Sequence, residues 1–376
     1  MKICAIICEF NPFHNGHAYL LERARKLSGC DFVLCVMSGQ FTQRGDMCRT
    51  DKYLRAKHAV SCGADAVIEL YAPFAVAPAE IFARGAMKEI CRLDGEITLA
   101  FGCESGTAEE FLKAAALLCD ESEQFKSFLN ESLDGGESYI KSYRRAFEKC
   151  GGSGELLSSP NNILGVEYAK AALKSGRKIE LLPIKRVGSG FSDDTLNANF
   201  SSAAAIRKNA DSAALSGNMP ECSLNDFLAS PDREERFKTL AADMLFLGDR
   251  ENIRRVYGCG EGLENRLKKL SEGGSDYDGI VAQASGKRYT QARIRRILCA
   301  HLLGLYQSDT EKFLESPVGC RVLAIKKAVA DKLLPLLKPE DDASGCGLLT
   351  TRAYALWRHL SRPLLLDNPN EKMILV

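Results

Sequence analysis

The sequence predicts an α/β protein, a doubly wound parallel sheet of the Rossmann-like type followed by a mostly helical C-terminal domain. Three observations carry this reading. Short apolar runs alternate with amphipathic helical patterns through the first two hundred residues, the order that parallel strands with crossover helices require. The first run, Ile3 to Ile7, is apolar without strict alternation, as in a strand covered on both faces. Beyond about Ser216 the alternation stops and helical periodicity dominates.

After the first strand, Leu20, Leu21, Ala24 and Leu27 recur at helical spacing with Glu22, Arg23, Arg25 and Lys26 on the other side. Strands are then expected at Phe32–Met37, Ala66–Leu70, Glu96–Gly102 and Lys178–Ile184, with helices at Lys52–Cys62, Ala79–Arg92 and Asn162–Lys174 between them. Thr107 to Cys150 reads as consecutive helices inserted into this framework, about 107–150. A segment from Gly188 to Asn199 with loop composition leads to a helix opening at Ser201-Ser202. Pro220 and Ser223 mark the boundary between a first domain, 1–215, and a second, 216–376. The second carries helical patterns at Arg233–Leu247, Glu261–Ser271 and Thr290–Tyr306, interrupted by one strand pattern, Arg321–Ile325.

The composition excludes several classes. With 45% hydrophobic and 26% charged residues the chain has a core to bury and is not disordered. A formal net charge of +1 means that any nucleic-acid contact must come from a local basic patch. The fifteen cysteines are irregularly spaced with no CxxC pair, so no zinc site is expected. With the N-terminus running straight into a strand, reduced thiols in a cytoplasmic protein are expected instead of disulfides. No apolar stretch reaches membrane-spanning length, so no membrane partner is expected.

The chemistry is concentrated in Glu9-Phe10-Asn11-Pro12-Phe13-His14-Asn15-Gly16-His17. A strand, a sharp turn and a helix whose first turn carries His17 place two imidazoles beside free backbone N–H groups, a setting for an anion. When a nucleotide is cleaved between its α and β phosphates, charge grows on the bridging and peripheral oxygens, and imidazole donors aimed there lower the barrier. Gly16 lets the backbone approach the phosphates closely. A second phosphate contact is expected from Phe200-Ser201-Ser202-Ala203-Ala204-Ala205-Ile206-Arg207-Lys208, where Ser201 or Ser202 caps a helix and Arg207 points a guanidinium at the same charge. From spacing alone a capped surface helix is the commoner explanation.

An HxGH quartet after strand one, paired with a Ser-Ser-x-x-x-Ile-Arg helix start, resembles the nucleotidylyltransferase superfamily of adenylyltransferases and class I aminoacyl-tRNA synthetases. Within it the chain resembles the bacterial tRNA(Met) cytidine acetate ligase family. The resemblance runs through EFNPFHNGH, MSGQFTQRGD from Met37, FGCESG from Phe101, SSPNNILGVEY from Ser158, LPIKRVG from Leu182, FSSAAAIRK from Phe200, EGLENRL from Glu261 and KRYTQARIRR from Lys287. It implies that ATP and acetate give acetyl-adenylate and pyrophosphate, with Mg2+ held mainly by the phosphates. The acetyl group then passes to the wobble cytidine of elongator tRNA(Met), giving N4-acetylcytidine. His14 and His17 are implied as catalytic. ATP contacts are implied for Ile7, Cys8, Glu9, Phe10, Asn11, Pro12, Phe13, His14, Asn15, Gly16, His17, Ala18, Tyr19 and Leu20, for Gly102, Asn161, Asn162 and Arg186, and for Ser201, Ser202 and Arg207. Gly102 would end a parallel strand at the edge where ligands sit. The Asn161-Asn162 pair after Pro160 offers an amide to an adenine edge or ribose, or caps its helix. Ala203 and Ala204 stand where the superfamily often has Ser or Thr, and Gln40 where Asn is usual.

Two further sets of residues are expected to bind substrates. Gln40, Gln43 or Arg44, in the Gly-flanked loop Met37 to Gly45 after the second strand, would orient acetate or close over the adenylate. Lys287, Arg288, Tyr289, Arg293 and Arg296 lead into a helix whose apolar face is Ile294, Ile297, Leu298, Leu302 and Leu305. The cations would meet tRNA phosphates and Tyr289 would stack on a base. Two other readings remain open: an adenylyltransferase acting on a small phosphate-bearing acceptor, and a non-catalytic RNA-binding factor on a nucleotide-binding fold. His58, His301 and His359 read as structural, and Trp357 as core.

Overall fold

The computed structural model describes residues 1–187, 195–196, 199–210, 213–339, 345–361 and 373–376. Five parallel strands, β1 (Lys2–Cys8), β2 (Phe32–Ser38), β3 (Ala66–Leu70), β4 (Glu96–Cys103) and β5 (Ile179–Lys185), form the body of one sheet. Two short strands, β6 (Val322–Ile325) and β7 (Ile374–Leu375), complete the order β5-β4-β1-β2-β3-β6-β7. Every residue of β2 and β3, and all of β1 beyond Lys2, is buried, which is why these runs are continuously apolar. The chain winds from β1 through β2 to β3, then returns to the other side of β1 for β4. Strand order therefore reverses at β1/β4. The carboxyl ends of those two strands open the crevice where ligands bind in such sheets.

The alternate sides of β1 feed two cores. Cys4, Ile6 and Cys8 point into one with Leu21, Tyr53, Phe237, Ile294, Leu298 and Trp357. Ile3, Ala5 and Ile7 point into the other with Phe82, Phe111, Tyr168 and the β6 residues Val322 and Ile325. The expected helical insertion forms three helices, Ala108–Cys119, Glu123–Asp134 and Tyr139–Lys149. The first seats Phe111 edge-on to Phe101 of β4 with centroids 5.0 Å apart.

The helical half differs from the expectation of a second domain beginning at 216. Its helices Glu234–Leu247, Gln291–Leu303 and Gly345–Leu360 share a core with β1 and β2. Its strand β6 pairs antiparallel with β3, Ala66 opposite Ile325. The physical reason is the edge of β3: five buried residues with an unpaired row of backbone groups must be covered. The isolated strand pattern Arg321–Ile325 supplies that cover. A composition boundary thus falls inside a shared core. The Gly188 to Asn199 segment lies almost wholly outside the described residues. Among the described residues, no helix is long and apolar enough to cross a membrane.

Candidate active site

β1 ends at Cys8, and the turn that follows is built on buried aromatics. Phe10, at φ 50, and Phe13 are fully buried and meet edge-on at 5.0 Å, with a cis Asn11–Pro12 peptide between them. The helix Asn15–Ser28 then starts with a histidine as its cap: His14 Nδ1 accepts from Gly16 N–H at 3.0 Å, and His17 Nδ1 accepts from His14 N–H at 3.3 Å. This reciprocal arrangement is a capping box made from two imidazoles. With both Nδ1 atoms accepting, the ring proton of each neutral histidine sits on Nε2. The rings stack at 3.8 Å between centroids, and Phe10 lies edge-on to His17 at 4.8 Å.

Burial keeps the pair uncharged. It pushes His14 down to about 3, helped by the neighbouring Arg186 and Arg207 guanidiniums. Burial likewise lowers His17 well below the ordinary histidine range, with His14 and Arg186 adding to it. Two neutral N–H donors beside two guanidiniums form an electropositive site that carries no imidazolium of its own.

Gly16 has a more local reason than close approach to phosphate. A Cβ there would stand 2.9 Å from His14 Cε1, so any side chain displaces the ring that caps the helix. Gly16→Ala is expected to lower activity at least tenfold while changing stability by about 1 kcal/mol, the scale of one helix cap. Kinetics and urea unfolding of the same preparation check both.

The cleft above the turn brings together His14, Gly16, His17, Tyr19, Leu20, Gly102, Arg186 and Ser201 from the expected set. It adds Lys185 and Phe200, residues whose type and spacing carry no chemical signal of their own. Tyr19 and Phe200 face each other edge-on at 6.3 Å. Gly102 has room for a Cβ, which would meet Arg186 Cγ at an ordinary 3.5 Å; the constraint on that position is space in the cleft, not a clash inside the protein. Arg207 joins the two phosphate motifs by donating to the Asn11 carbonyl at 2.5 Å. Ser202, not Ser201, is the helix cap, accepting from Ala205 N–H at 3.0 Å. Asn15 ties the turn to the same segment through Asn199 and Gly217 carbonyls, and Ser223 donates to the Phe13 carbonyl at 2.7 Å. Asn11 is 5% exposed, yet both side-chain amide atoms lack a partner among the described residues. Such a group is costly unless a ligand satisfies it.

The remaining expected contacts lie around this cleft without lining it. Ile7, Cys8, Phe10, Pro12 and Phe13 are buried in the strand and turn, where they shape the site without lining the cleft. Ala18 is half-buried and packs against the sheet core. Asn162 is 1% exposed and spends its amide on the end of β4: its Oδ1 accepts from Glu104 and Ser105 N–H groups at 3.0 and 3.5 Å, and its Nδ2 donates to Ser105 Oγ at 3.0 Å. Asn161 donates to the Glu104 carboxylate at 2.6 Å. The Asn pair clamps a loop at the cleft's edge, and Ser159 takes the helix-cap position.

The Met37 to Gly45 loop is bound down on several sides. Gln40 is 3% exposed and donates to Asp51 at 3.3 Å. Gln43 gives its backbone N–H to Glu9 at 2.6 Å and its side-chain amide to the Ala77 carbonyl at 3.2 Å. Burial raises the Glu9 carboxyl above the usual range, although the Gln43 bond opposes the shift. Gly45, at φ 82, touches the backbone of Arg295 and Arg296, 2.6 Å from where its Cβ would stand. Among the three loop candidates, burial depresses the Arg44 guanidinium, while Glu9 and Asp46 nearby oppose it. Arg55, which nothing in the sequence marked, is fully buried and donates to the carbonyls of Glu9, Ser38 and Gly39, so one guanidinium holds the ends of β1 and β2.

The structure places most of the expected tRNA-binding stretch against the protein itself. Tyr289 is buried and takes the Arg293 guanidinium over its ring at 4.8 Å, so it presents no face for a base. Arg293 Nε donates to the Gly258 carbonyl at 2.8 Å, and Arg296 donates to the Gln43 carbonyl at 3.1 Å. Both arginines serve the protein's own backbone because the loops at 39–46 and 256–262 lie against this helix. Of the five expected residues Lys287 and Arg288 alone are exposed, and Arg288 pairs with Glu261 at 2.6 Å.

A nucleotide cleft at the strand-order reversal, walled by an HxGH turn and a basic helix start, defines a HIGH-type nucleotidyl transferase, and the HIGH Nucleotidyl Transferase family model matches residues 1–343. The relatives narrow this class. A tRNA(Met) cytidine acetate ligase from Acetivibrio thermocellus is 37% identical over 342 residues, covering 86% of this chain and 82% of the relative. One from Clostridium acetobutylicum is 32% identical over 406 residues and covers both chains fully. The chain belongs to the tRNA(Met) cytidine acetate ligase family. The crystal structure of Thermotoga maritima TmcAL bound with alpha-thio ATP superposes with a TM-score of 0.87 at 26% identity over the whole of both chains.

Proposed function

We propose that this chain uses ATP to convert acetate to acetyl-adenylate, with release of pyrophosphate, and transfers the acetyl group to the wobble cytidine amine of elongator tRNA(Met). The observation that carries the first half is the stacked His14–His17 pair, two neutral Nε2–H donors fixed by their own helix cap at the head of the cleft. Attack of an acetate oxygen on the α-phosphorus builds negative charge on the phosphate oxygens. Donors already held in place stabilise that charge without reorganising. Arg186 and Arg207 add fixed positive charge on either side of the turn, and the unsatisfied Asn11 amide offers two hydrogen bonds to the adenylate. The remaining requirement is alignment of acetate with the leaving pyrophosphate, which binding supplies.

A magnesium ion would ride on the nucleotide. Among the described residues no three His, Cys, Asp or Glu side chains converge on one point. Such an ion would neutralise charge on the leaving pyrophosphate. In the second half, the cytidine amine attacks the acetyl carbon of the anhydride, the carbon–oxygen bond to AMP breaks, and the amine loses a proton. The anhydride is already activated, so holding the amine against it is the protein's main task.

The test is incubation with ATP, labelled acetate and bulk tRNA, followed by nucleoside analysis. Label in N4-acetylcytidine is the expected result. Adenylylation of a phosphate-bearing acceptor with no acetate dependence would replace this reading with a plain adenylyltransferase. Absence of pyrophosphate release with every acceptor would make the chain a binding factor.

A further inference from the structure

A second and larger cavity, about 370 Å³, adjoins the nucleotide turn. It runs between residues 46–49 and three helices, Glu234–Leu247, Tyr277–Ala284 and Gln291–Leu303. Met47, Tyr277 and Val281 give one wall an apolar surface. The charges on the other side do not cancel. Lys238 is neutralised by Glu234 at 3.0 Å and Asp278 at 2.9 Å, and Arg295 has Asp46 at 3.7 Å. Arg49, Arg207 and Arg233 also line the groove, and among the described residues none of them forms an ion pair with a carboxylate; with Asp46, Asp232, Glu234 and Asp278 set against Arg49, Arg207, Arg233, Lys238 and Arg295, the lining keeps a surplus of one positive charge. Arg233 is 6% exposed and its Nε has no hydrogen-bond partner among the described residues. Its NH1 donates to the Arg49 backbone carbonyl at 2.8 Å and its guanidinium lies over the Trp357 ring at 4.6 Å, while Arg49 Nε donates to the Ser230 carbonyl at 2.8 Å.

We propose that this groove seats a single-stranded stretch of the acceptor RNA, with backbone phosphates on Arg49 and Arg233 and bases against the Met47–Tyr277 wall. This deepens the acetyl-transfer reading and rests on it. Three features favour an RNA strand. The surplus charge is guanidinium, whose planar fork matches phosphate oxygens. The guanidiniums come from three separate segments of the groove lining, at Arg49, Arg207 and Arg233, as contact with successive phosphates requires. Arg207 belongs to both places, lining the groove and donating to Asn11 in the turn, so a strand lying in the groove ends at the adenylate. The carboxylate of Asp46 in the same lining, 3.7 Å from Arg295, is of the type that accepts a hydrogen bond from a cytosine amine. The helix that the sequence marked as RNA-binding does take part, through Gln291 and Arg295 on its groove side, with Arg295 donating to Gln291 at 3.0 Å.

The test compares Arg49→Glu, Gln291→Glu and Gln291→Lys with the parent chain, reading the Kd for an elongator tRNA(Met) transcript across salt concentrations and acetate-dependent ATP–pyrophosphate exchange. Arg49→Glu is expected to raise Kd by about tenfold or more and to reduce the salt slope by about 0.7 for each phosphate that is no longer neutralised. Gln291 is exposed, so its variants fold as the parent does; Glu should weaken binding several-fold and Lys tighten it. Exchange should stay within twofold in all three, because none of these residues lines the nucleotide cleft. Unchanged Kd values in Arg49→Glu and both Gln291 variants, with tRNA binding abolished instead in Lys287→Glu and Arg288→Glu, would overturn the proposal. Failure of the parent chain to acetylate any RNA would overturn the functional reading instead, and the binding data separate the two.

Discussion

His14→Asn is expected to leave a folded protein that binds tRNA normally and exchanges pyrophosphate about 10²–10³-fold more slowly, the usual cost of removing one fixed donor from a developing oxyanion. Asparagine is a strong helix cap, so its Oδ1 can take over the bond from Gly16 N–H while the Nε2 donor is removed. Alanine at the same position removes the cap as well, and comparison of the two separates folding from chemistry. His17→Ala should fall in the same range, and the double variant should lose far less than the product of the two. Their rings stack at 3.8 Å and His17 accepts the backbone N–H of His14, and residues that act as a unit do not contribute independently. Additive losses in a double-mutant cycle would show that the histidines work separately.

The sign of the histidine shifts gives a pH result. His14 is held at about 3 instead of 6.5, so the free enzyme keeps its donors neutral throughout the neutral range. The pH profile of kcat/KM for ATP, which reports free-enzyme groups, should show no break near 6.5 from these residues. Stability follows the same linkage: between about 6.5 and about 3 the unfolded chain binds a proton at His14 that the folded chain does not, so stability falls as pH drops through that window and is unaffected above it. A rate break near 6.5 that disappears in His14→Asn would contradict this assignment.

The strands and the turn were legible because their physics is local. β1 to β5 are short apolar runs, and an HxGH turn needs only neighbours in sequence to place two rings beside a helix start. What was not legible depends on long-range packing. Arg55 looks like any basic residue on an amphipathic helix, yet it lies wholly inside and holds the ends of two strands. Asn162 carries the amide expected of a nucleotide contact, and nothing in its spacing says that the same amide holds the end of β4. The KRYTQARIRR stretch shows the same limit. Helical periodicity separated its apolar face from its basic one, but could not say that loops 39–46 and 256–262 would lie on the basic face and absorb Arg293 and Arg296. Nor could it assign Arg321–Ile325 to the sheet, since an edge strand is chosen by the partner that needs covering.

That long-range closure is held by a buried ionic cluster, and breaking it should give the largest stability loss outside the apolar core. Lys52 and Glu69 are fully buried, with Lys52 Nζ 2.7 and 2.9 Å from the two carboxylate oxygens. Arg321, just before β6, adds a bond to Glu69 at 3.0 Å, and the Lys52 ammonium lies 4.4 Å from the Tyr354 ring centroid. One carboxylate on β3 thus fixes the helix Lys52–Ser61 and the strand that closes the sheet. Lys52→Met is expected to cost about 3–5 kcal/mol, because Glu69 is left buried with half its compensation. Replacing the whole cluster, Lys52→Met with Glu69→Leu and Arg321→Met, should recover most of that loss, since apolar groups of similar volume carry no desolvation penalty. Urea unfolding midpoints of the single and triple variants decide it. A single variant within about 1 kcal/mol of the parent would place the cluster among weak surface-like pairs. A triple variant worse than the single one would mean that Arg321 and Glu69 keep working without Lys52. The effect should reach the active site as well. Glu69 Oε1 lies 2.5 Å from where a Gly39 Cβ would be, and Gly39 is one of the carbonyls that Arg55 holds beside Glu9. A Glu69 side chain that shifts to find water therefore presses on the loop carrying Gln40 and Gln43, and the single variant should lose activity at temperatures where it is still folded.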